Sequence, residues 1–389
     1  MHADNEIRNN GILDQTFFGS LIFLPLVSLF WQESLWVIKF NWIVYPFFLA
    51  GVAVFVFISK QVTIRVTWFG LVFLVYGMIF ITQKGDIESL GRIAISVIPF
   101  LFLPNFDKSS SFTRKNFLLL YTAFFVPALY VTYLQYTGQS PYYEFDYVNG
   151  ERVGRLSGGY SKPTNFVAFL APLYVFGIYL VVVKKRKLEG WLMTGSLLLL
   201  AYLVGHRTSF VAFGIMATAV FAGRYINTAI YHYYKYYGHF IVGIVSFVAF
   251  YILKAKFGLL DYIRGRVPMW QAHAEAFFES DFASVLFGKQ RVKLGDEHLT
   301  NVLISSIDEA HNNSFRTIVL FGIVGFYLYA AFMRWVVLSS YDRHEDSGRK
   351  LVISCTLIFF ILYSITNEPF YYASVAWPIL AWLFLLRKE

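Results

Sequence analysis

PTNFVAFLAPLYVFGIYLVVVKKRK, residues 163–187, decides the fold class. Its first 21 residues carry no charge, and its last four, Lys184-Lys185-Arg186-Lys187, are all cationic. An uncharged run of this length suits a helix crossing the ~30 Å hydrocarbon layer of a bilayer, which takes about 20 residues. A basic cluster directly after such a run marks the cytoplasmic side. The rest of the chain repeats the pattern, with apolar segments near 15–32, 38–59, 65–82, 88–104, 116–137, 190–205, 208–223, 238–254, 314–338, 350–367 and 371–387. Composition agrees. Apolar residues make up 57% of the 389 and charged residues 15%, against roughly 25% charged in soluble chains. The expected fold is all-α: one integral membrane domain over 1–389 with about twelve transmembrane helices, and a long outer loop carrying short helices.

Between 190–205 and 208–223 only Gly205, His206 and Arg207 intervene. A fused helix would be too long to span without strong tilt, so a tight hairpin is expected there. Alternating outward from Lys184–Lys187 puts Lys60/Arg65, Lys108/Arg114/Lys115, Arg343/Arg349/Lys350 and Arg387/Lys388 on the same side, with both termini cytoplasmic. Assigned to the nearer face, 18 Lys and Arg and 9 Asp and Glu fall on the cytoplasmic side, against 15 of each on the other. The whole net charge of +9 is therefore a topology signal, and a nucleic-acid partner is not implied. The start, Met1 to Gln15, is polar, and the first apolar run has no small-residue cleavage site, so it is expected to stay as a span. Cys355 is the single cysteine, which excludes an intramolecular disulfide and a Cys metal cluster.

Two long loops fall on the non-cytoplasmic side, about 136–162 and about 254–313. Loops of that length usually carry function, and no internal repeat or matched pair of broken apolar segments points to an inverted-repeat transporter. In the second loop, Arg264 and Arg266 precede a stripe of Trp270, Ala274, Phe277 and Phe278 at helical spacing. That stripe suits a helix lying in the interface or a buried loop helix equally. Either way the two arginines sit at a helix N-terminus, where anions are favoured. The loop as a whole holds seven Lys and Arg, including Arg291, and eight Asp and Glu, so bulk charge carries no anion-binding argument.

The loop ends at Asp308-Glu309-Ala310-His311-Asn312-Asn313-Ser314-Phe315-Arg316. His311 at the membrane surface suits a general base at neutral pH, and a helix cap built of His and Asn is the structural alternative. Arg207, in the tight turn, needs a partner at membrane depth: an anionic headgroup serves, as does plain snorkelling. In the first loop Arg152 and Arg155 precede Leu156-Ser157-Gly158-Gly159-Tyr160-Ser161-Lys162-Pro163-Thr164-Asn165. Gly-rich turns admit phosphate to backbone N–H groups, though a flexible loop is the default. Tyr142, Tyr143, Tyr147 and Tyr160 offer rings on which a sugar stacks. Glu144-Phe145-Asp146 is too short a pattern to assign a metal, and no HExxH, P-loop, GxSxG or paired CxxC occurs.

Four segments in order carry a family resemblance: Arg155-Leu156-Ser157-Gly158-Gly159 with Lys162–Phe166; Gly205-His206-Arg207-Thr208-Ser209-Phe210; Arg266 and Trp270 followed by Leu286-Phe287-Gly288; and Ala310–Phe315 with Gly322 and Gly325. With them the chain resembles the O-antigen ligase and O-antigen polymerase superfamily over about residues 150–330. His206 departs from the Ser often found before the turn arginine, and two arginines compete for the loop position. The resemblance implies an inverting, metal-independent glycosyltransferase of the bacterial inner membrane, with its site on the periplasmic side and no cofactor. Its donor would be undecaprenyl diphosphate-linked oligosaccharide and its acceptor a second lipid-linked glycan or lipid A-core, among membrane lipids and with a chain-length regulator as a further partner. Arg207 with Arg264 or Arg266 would hold the diphosphate, and His311 would activate the acceptor hydroxyl. Arg152, Arg155, Arg291, Asn312, Trp270 and Tyr160 are expected substrate contacts. A repeat-unit polymerase is the preferred reading; a ligase is the alternative, and a lipid-linked oligosaccharide flippase the alternative of another class.

Overall fold

Residues 163–182 form a helix that ends just before the basic run. In the computed structural model, which describes residues 72, 75–77, 79, 114–139, 144–148, 151–158, 163–252, 266–288, 312–342 and 345–367, helices dominate. The expected spans near 15–32, 38–59, 88–104 and 371–387 lie outside the described residues. In chain order the elements are α1 Arg114–Tyr136, β1 Glu144–Val148, β2 Glu151–Arg155, α2 Pro163–Val182, α3 Lys187–Leu203, α4 Arg207–Ala219, α5 Gly223–Lys235, α6 Gly238–Ile252, α7 Arg266–Phe278, α8 Phe282–Phe287, α9 Asn313–Asp342 and α10 Ser347–Thr366. Among the described residues, α2, α9 and α10 are long and apolar enough to cross a membrane, and the pair α4–α5 meets the same test when taken together.

α2 is the innermost helix: every residue from Phe166 to Tyr179 is buried. A helix apolar on all sides is stable only when enclosed, and α3, α4 and α10 pack around it. It starts with Pro163 in the first helical position, where the missing N–H is no loss. It stops by a left-handed cap: Lys185 has φ +59°, and the Arg186 amide reaches back to the Leu180 carbonyl at 2.9 Å. The chain then reverses into α3. The two helices touch through Gly177, Gly190 and Thr194, and a Cβ on Gly190 would lie 2.6 Å from the Gly177 carbonyl oxygen. Small residues let helix backbones approach this closely.

The hairpin expected at Gly205–Arg207 is present: α3 ends at Leu203 and α4 begins at Arg207. Below it the sequence reading missed an element. α4 stops at Ala219, and α5 leaves it with a bend of 120°. The Asn227 amide, on the buried side of α5, donates to the Ser347 carbonyl at 3.0 Å, and its oxygen accepts from Ser354 at 2.7 Å. The loop expected over 136–162 contains a two-stranded antiparallel ribbon, with Glu144 opposite Arg155 and Tyr147 opposite Arg152.

The expectation of one straight span over 314–338 is corrected. At Gly322 the backbone takes φ +69° and ψ −173°, which glycine adopts without steric cost. Asn313 and Tyr329 are 16 residues apart, about 24 Å along a continuous helix. Yet the Asn313 amide donates to the Tyr329 hydroxyl at 2.9 Å. Neither side chain is long enough to bridge such a gap, so α9 doubles back at Gly322 into a first limb of residues 313–321 and a second of 323–342. Gly243 on α6 lies against both Ser314 and Phe326, one from each limb. The break frees carbonyl groups, and the Tyr76 hydroxyl donates to one of them, Phe321, at 2.8 Å. A Cβ on Gly322 would lie 2.3 Å from the Leu286 carbonyl oxygen, so α8 presses backbone to backbone on the apex. α8 is itself capped by Asp281. Its carboxylate accepts from the Ser284 hydroxyl at 2.7 Å and amide at 2.9 Å, which hold its pKa below the usual carboxylate range.

The α2–α3 contact is testable. Gly190→Leu overpacks it and should cost about 1–3 kcal/mol, read as a lower unfolding midpoint in detergent. Gly195→Ala, whose Cβ meets nothing within 4 Å, should be neutral or stabilising, because helical Gly costs up to about 1 kcal/mol relative to Ala. An unchanged midpoint for Gly190→Leu contradicts the close approach.

Candidate functional site

Three helices begin where α10 ends. α10 stops at Thr366, and its last turn leaves carbonyl groups without helical partners. The Asn312 amide donates to the Ile365 carbonyl at 3.1 Å, while its oxygen accepts from the Phe315 amide at 3.0 Å. One side chain thus caps the start of α9 and the end of α10. The Thr366 hydroxyl donates to the Thr208 hydroxyl in the first turn of α4 at 3.1 Å. The Tyr363 hydroxyl donates to the Thr164 carbonyl at the start of α2 at 3.2 Å. The Asn367 amide closes the cluster, reaching the Thr366 hydroxyl at 3.0 Å and the Tyr363 carbonyl at 3.3 Å.

Arg207 is the first residue of α4, and it is exposed. The buried His206 before it is the cap: its Nδ1 accepts from the Ser209 amide at 3.3 Å and pairs with the Ser209 hydroxyl at 2.7 Å. His206 therefore does the capping that Ser or Thr does elsewhere, and its ring sits 5.9 Å from that of Tyr363. With the imidazole turned inward, the arginine that follows stands at the mouth of the turn. The N-termini of α2, α4 and α9 each carry a partial positive charge, so this end of the bundle favours an anion.

Trp270 is not a ligand-facing ring. It is buried, edge-on to Phe250 at 5.2 Å and to Phe315 at 5.7 Å. Ala274 and Phe277 are buried on the same face, with Phe277 against Phe247 at 5.4 Å. Of the two readings of that stripe, these contacts are those of a buried loop helix. Trp270 lodges α7 against the first turn of α9, and Arg266 is the first residue of α7. Asn312 likewise has both ends of its amide engaged within the bundle, so its part is to position α9. His311 directly precedes it in the sequence and lies outside the described residues, as do Arg264, Arg291 and Tyr160.

The start of the Gly-rich turn is held in place, where a flexible loop is the default expectation. The amides of Ser157 and Gly158, which would approach a phosphate, both donate to the Gln135 side-chain oxygen, at 3.0 and 3.1 Å. The Gln135 amide adds a bond to the Ser157 hydroxyl at 3.2 Å. The last turn of α1 thereby occupies the cradle and ties down the ribbon that carries Arg152 and Arg155. Gly158, at φ +60°, leaves room for the Phe166 ring, which a Cβ would meet at 2.7 Å. Sequence reasoning missed Gln135, Tyr363, Thr366 and Asn367. Among these, Gln135 alone carried a signal, a lone amide near the end of an apolar run.

Among the described residues, Thr164, Thr208 and Asn312, from three of the four segments that carry the family resemblance, meet the last turn of α10, and Trp270 of the remaining segment packs on Phe315, three residues from Asn312. Among the described residues, no group of three or more His, Cys, Asp and Glu stands close enough to hold a metal ion. Compared with known proteins, the chain matches no family model, and no curated protein is significantly similar to it.

Gln135→Ala leaves two buried amides without their acceptor, at about 1–3 kcal/mol in all. The expected result is faster proteolysis within residues 136–162 in membrane vesicles, with cleavage elsewhere unchanged. Wild-type protection of that segment would contradict the Gln135 contacts.

Proposed function

We propose that the protein is a polytopic inner-membrane glycosyltransferase that takes undecaprenyl diphosphate-linked glycan as donor and a second lipid-linked glycan as acceptor. The observation that carries this reading is the Thr208–Thr366 bond beside the Asn312–Ile365 bond. Through consecutive residues of α10 it brings the turn of Arg207 to the residue that follows His311. The reading includes about twelve spans, cytoplasmic termini and a periplasmic site. In its support, the end opposite the candidate site gathers cations: Gly348, beside Arg349 and Lys350, packs on Val182, just before Lys184–Lys187. A bilayer orients such an end to the cytoplasm.

The chemistry follows from the charge that develops. Transfer breaks the anomeric C–O bond to a diphosphate, so negative charge grows on the leaving oxygen as the acceptor oxygen attacks the opposite face of the sugar. A guanidinium fixed near that oxygen stabilises the transition state more than the ground state. Arg suits this better than Lys, because its planar fork holds two phosphate oxygens at once. Arg207 fills that role, with an arginine of the 264/266 pair as its second cation. His311 takes the acceptor hydroxyl proton. Most of the acceleration then comes from the cations and from aligning two bulky sugars.

Purified protein, donor lipid and acceptor in one assay test this. Arg207→Ala and His311→Ala should each lower transfer by about 10²–10⁴-fold with insertion intact, Arg207→Lys should also be severely impaired, and a chelator should change nothing. No transfer by wild-type protein to any lipid-linked or lipid A-core acceptor overturns the enzyme reading; wild-type turnover by His311→Ala removes the base alone.

A further inference from the structure

α5 sits at the basic end, far from the site above, and nothing in the proposed reaction uses it. Its buried side holds Asn227 and Tyr234. Its outer face carries Tyr225, Ala229, His232 and Tyr236 at helical spacing, flanked by Arg224, Thr228 and Lys235, all exposed. Phe221, in the bend before it, is 83% exposed and Tyr225 81%. Large rings this bare are unfavourable in water, and Arg224 and Lys235 are unfavourable in hydrocarbon. The membrane–water interface accommodates both, because rings rest at headgroup level and long cations reach outward.

The surroundings extend this face. Phe221 stacks on Trp191 of α3 at 5.8 Å; α3 begins at Lys187, and Lys184 and Lys185 lie in the turn before it. Asn227 holds the start of α10, and there Gly348 packs on Val182. The far end of α5 is fixed as well. Arg334 donates to the Lys235 carbonyl at 3.0 Å and lies over the Tyr237 ring at 5.0 Å. The Lys235 ammonium sits 5.8 Å from the Tyr231 ring and 5.6 Å from the Tyr236 ring. The helix is thus clamped in place, with Lys235 held between two aromatic rings at the edge of the bundle.

We infer that α5 lies in the bilayer interface and that its outer face, with Lys184, Lys185 and Lys187, forms a docking surface for anionic phospholipid headgroups. Charge complementarity selects the occupant. Arg224, Lys235 and the three lysines offer five cations. Among the described residues at this end, Glu189 faces Arg186 at 3.2 Å and Asp346 faces Arg349 at 3.8 Å, and with the exposed Asp342 and Glu345 they are outnumbered by the cations. A phosphodiester headgroup with net negative charge satisfies this set, and a zwitterionic one does so only in part. The inference does not rest on the proposed reaction.

Full-length protein is purified in detergent and exposed to phosphatidylglycerol and phosphatidylcholine in competition, with retained lipid counted by native mass spectrometry. Wild-type protein is expected to retain phosphatidylglycerol about tenfold over phosphatidylcholine, an advantage that shrinks as salt is raised. The combined variant Lys184→Gln, Lys185→Gln, Lys187→Gln, Arg224→Gln, Lys235→Gln should lose it, and the variant with the four lysines changed to Arg should keep it. Equal retention by wild-type protein overturns the proposal, as does an advantage that survives neutralisation. Should the neutralised variant not fold, the salt series decides: an advantage indifferent to salt also overturns it.

Discussion

The last turn of α10 is the constraint on which the arrangement depends. A helix that ends inside a bundle must have its final carbonyl groups satisfied by something other than its own backbone. Here the Asn312 amide satisfies the Ile365 carbonyl and the Asn367 amide the Tyr363 carbonyl, and beside them the Thr366 hydroxyl donates to Thr208. The consequence is geometric. Segments that lie 53 and 158 residues from this turn in the sequence thus arrive at one point. A structural need of the backbone therefore assembles the place where Arg207 stands.

The reversal at Gly322 serves the same end. A straight α9 would hold its start about 24 Å from the level of Tyr329. By doubling back, the chain brings the start of its first limb level with Tyr329 on the second. The space between the limbs and their neighbours is filled with rings. Phe315 meets Phe247, Phe250 and Trp270 at centroid distances between 4.9 and 5.7 Å. Aromatic pairs of this kind add about 0.5–1.5 kcal/mol each beyond their burial, and their edge-on geometry resists sliding. These rings hold the first limb of the broken helix against its neighbours.

Much of this was legible in the residues. The uncharged run before Lys184–Lys187 announced α2, and the tripeptide Gly205–Arg207 announced the turn that sets up α4. The helical stripe of Trp270 was read correctly as a helix, with its environment left open, because periodicity reports a face and not what covers it. Three things were hidden. Gly322 sits in an apolar run that looks continuous, since hydropathy cannot see a dihedral angle. α5 escaped notice because its mixture of Tyr, Arg, His and Lys reads as an ordinary loop until its two faces are separated. The Gly158 turn reads as a flexible loop because the side chain that ties it down, Gln135, is distant in sequence. Asn312, an expected substrate contact, takes the alternative that the residues also offered, a helix cap built of His and Asn.

The convergence at the end of α10 can be measured without any assumption about substrate. With Cys355 changed to Ser, the pair Thr208→Cys and Thr366→Cys is introduced into the full chain in membrane vesicles and exposed to mild oxidant. Hydroxyl oxygens 3.1 Å apart place the two Cβ atoms near the separation a disulfide requires, roughly 3.5–4.5 Å. Rapid formation of the intramolecular bond is the predicted result. Two thiols that both react with maleimide yet never join would contradict it, and with it the assembly of the site.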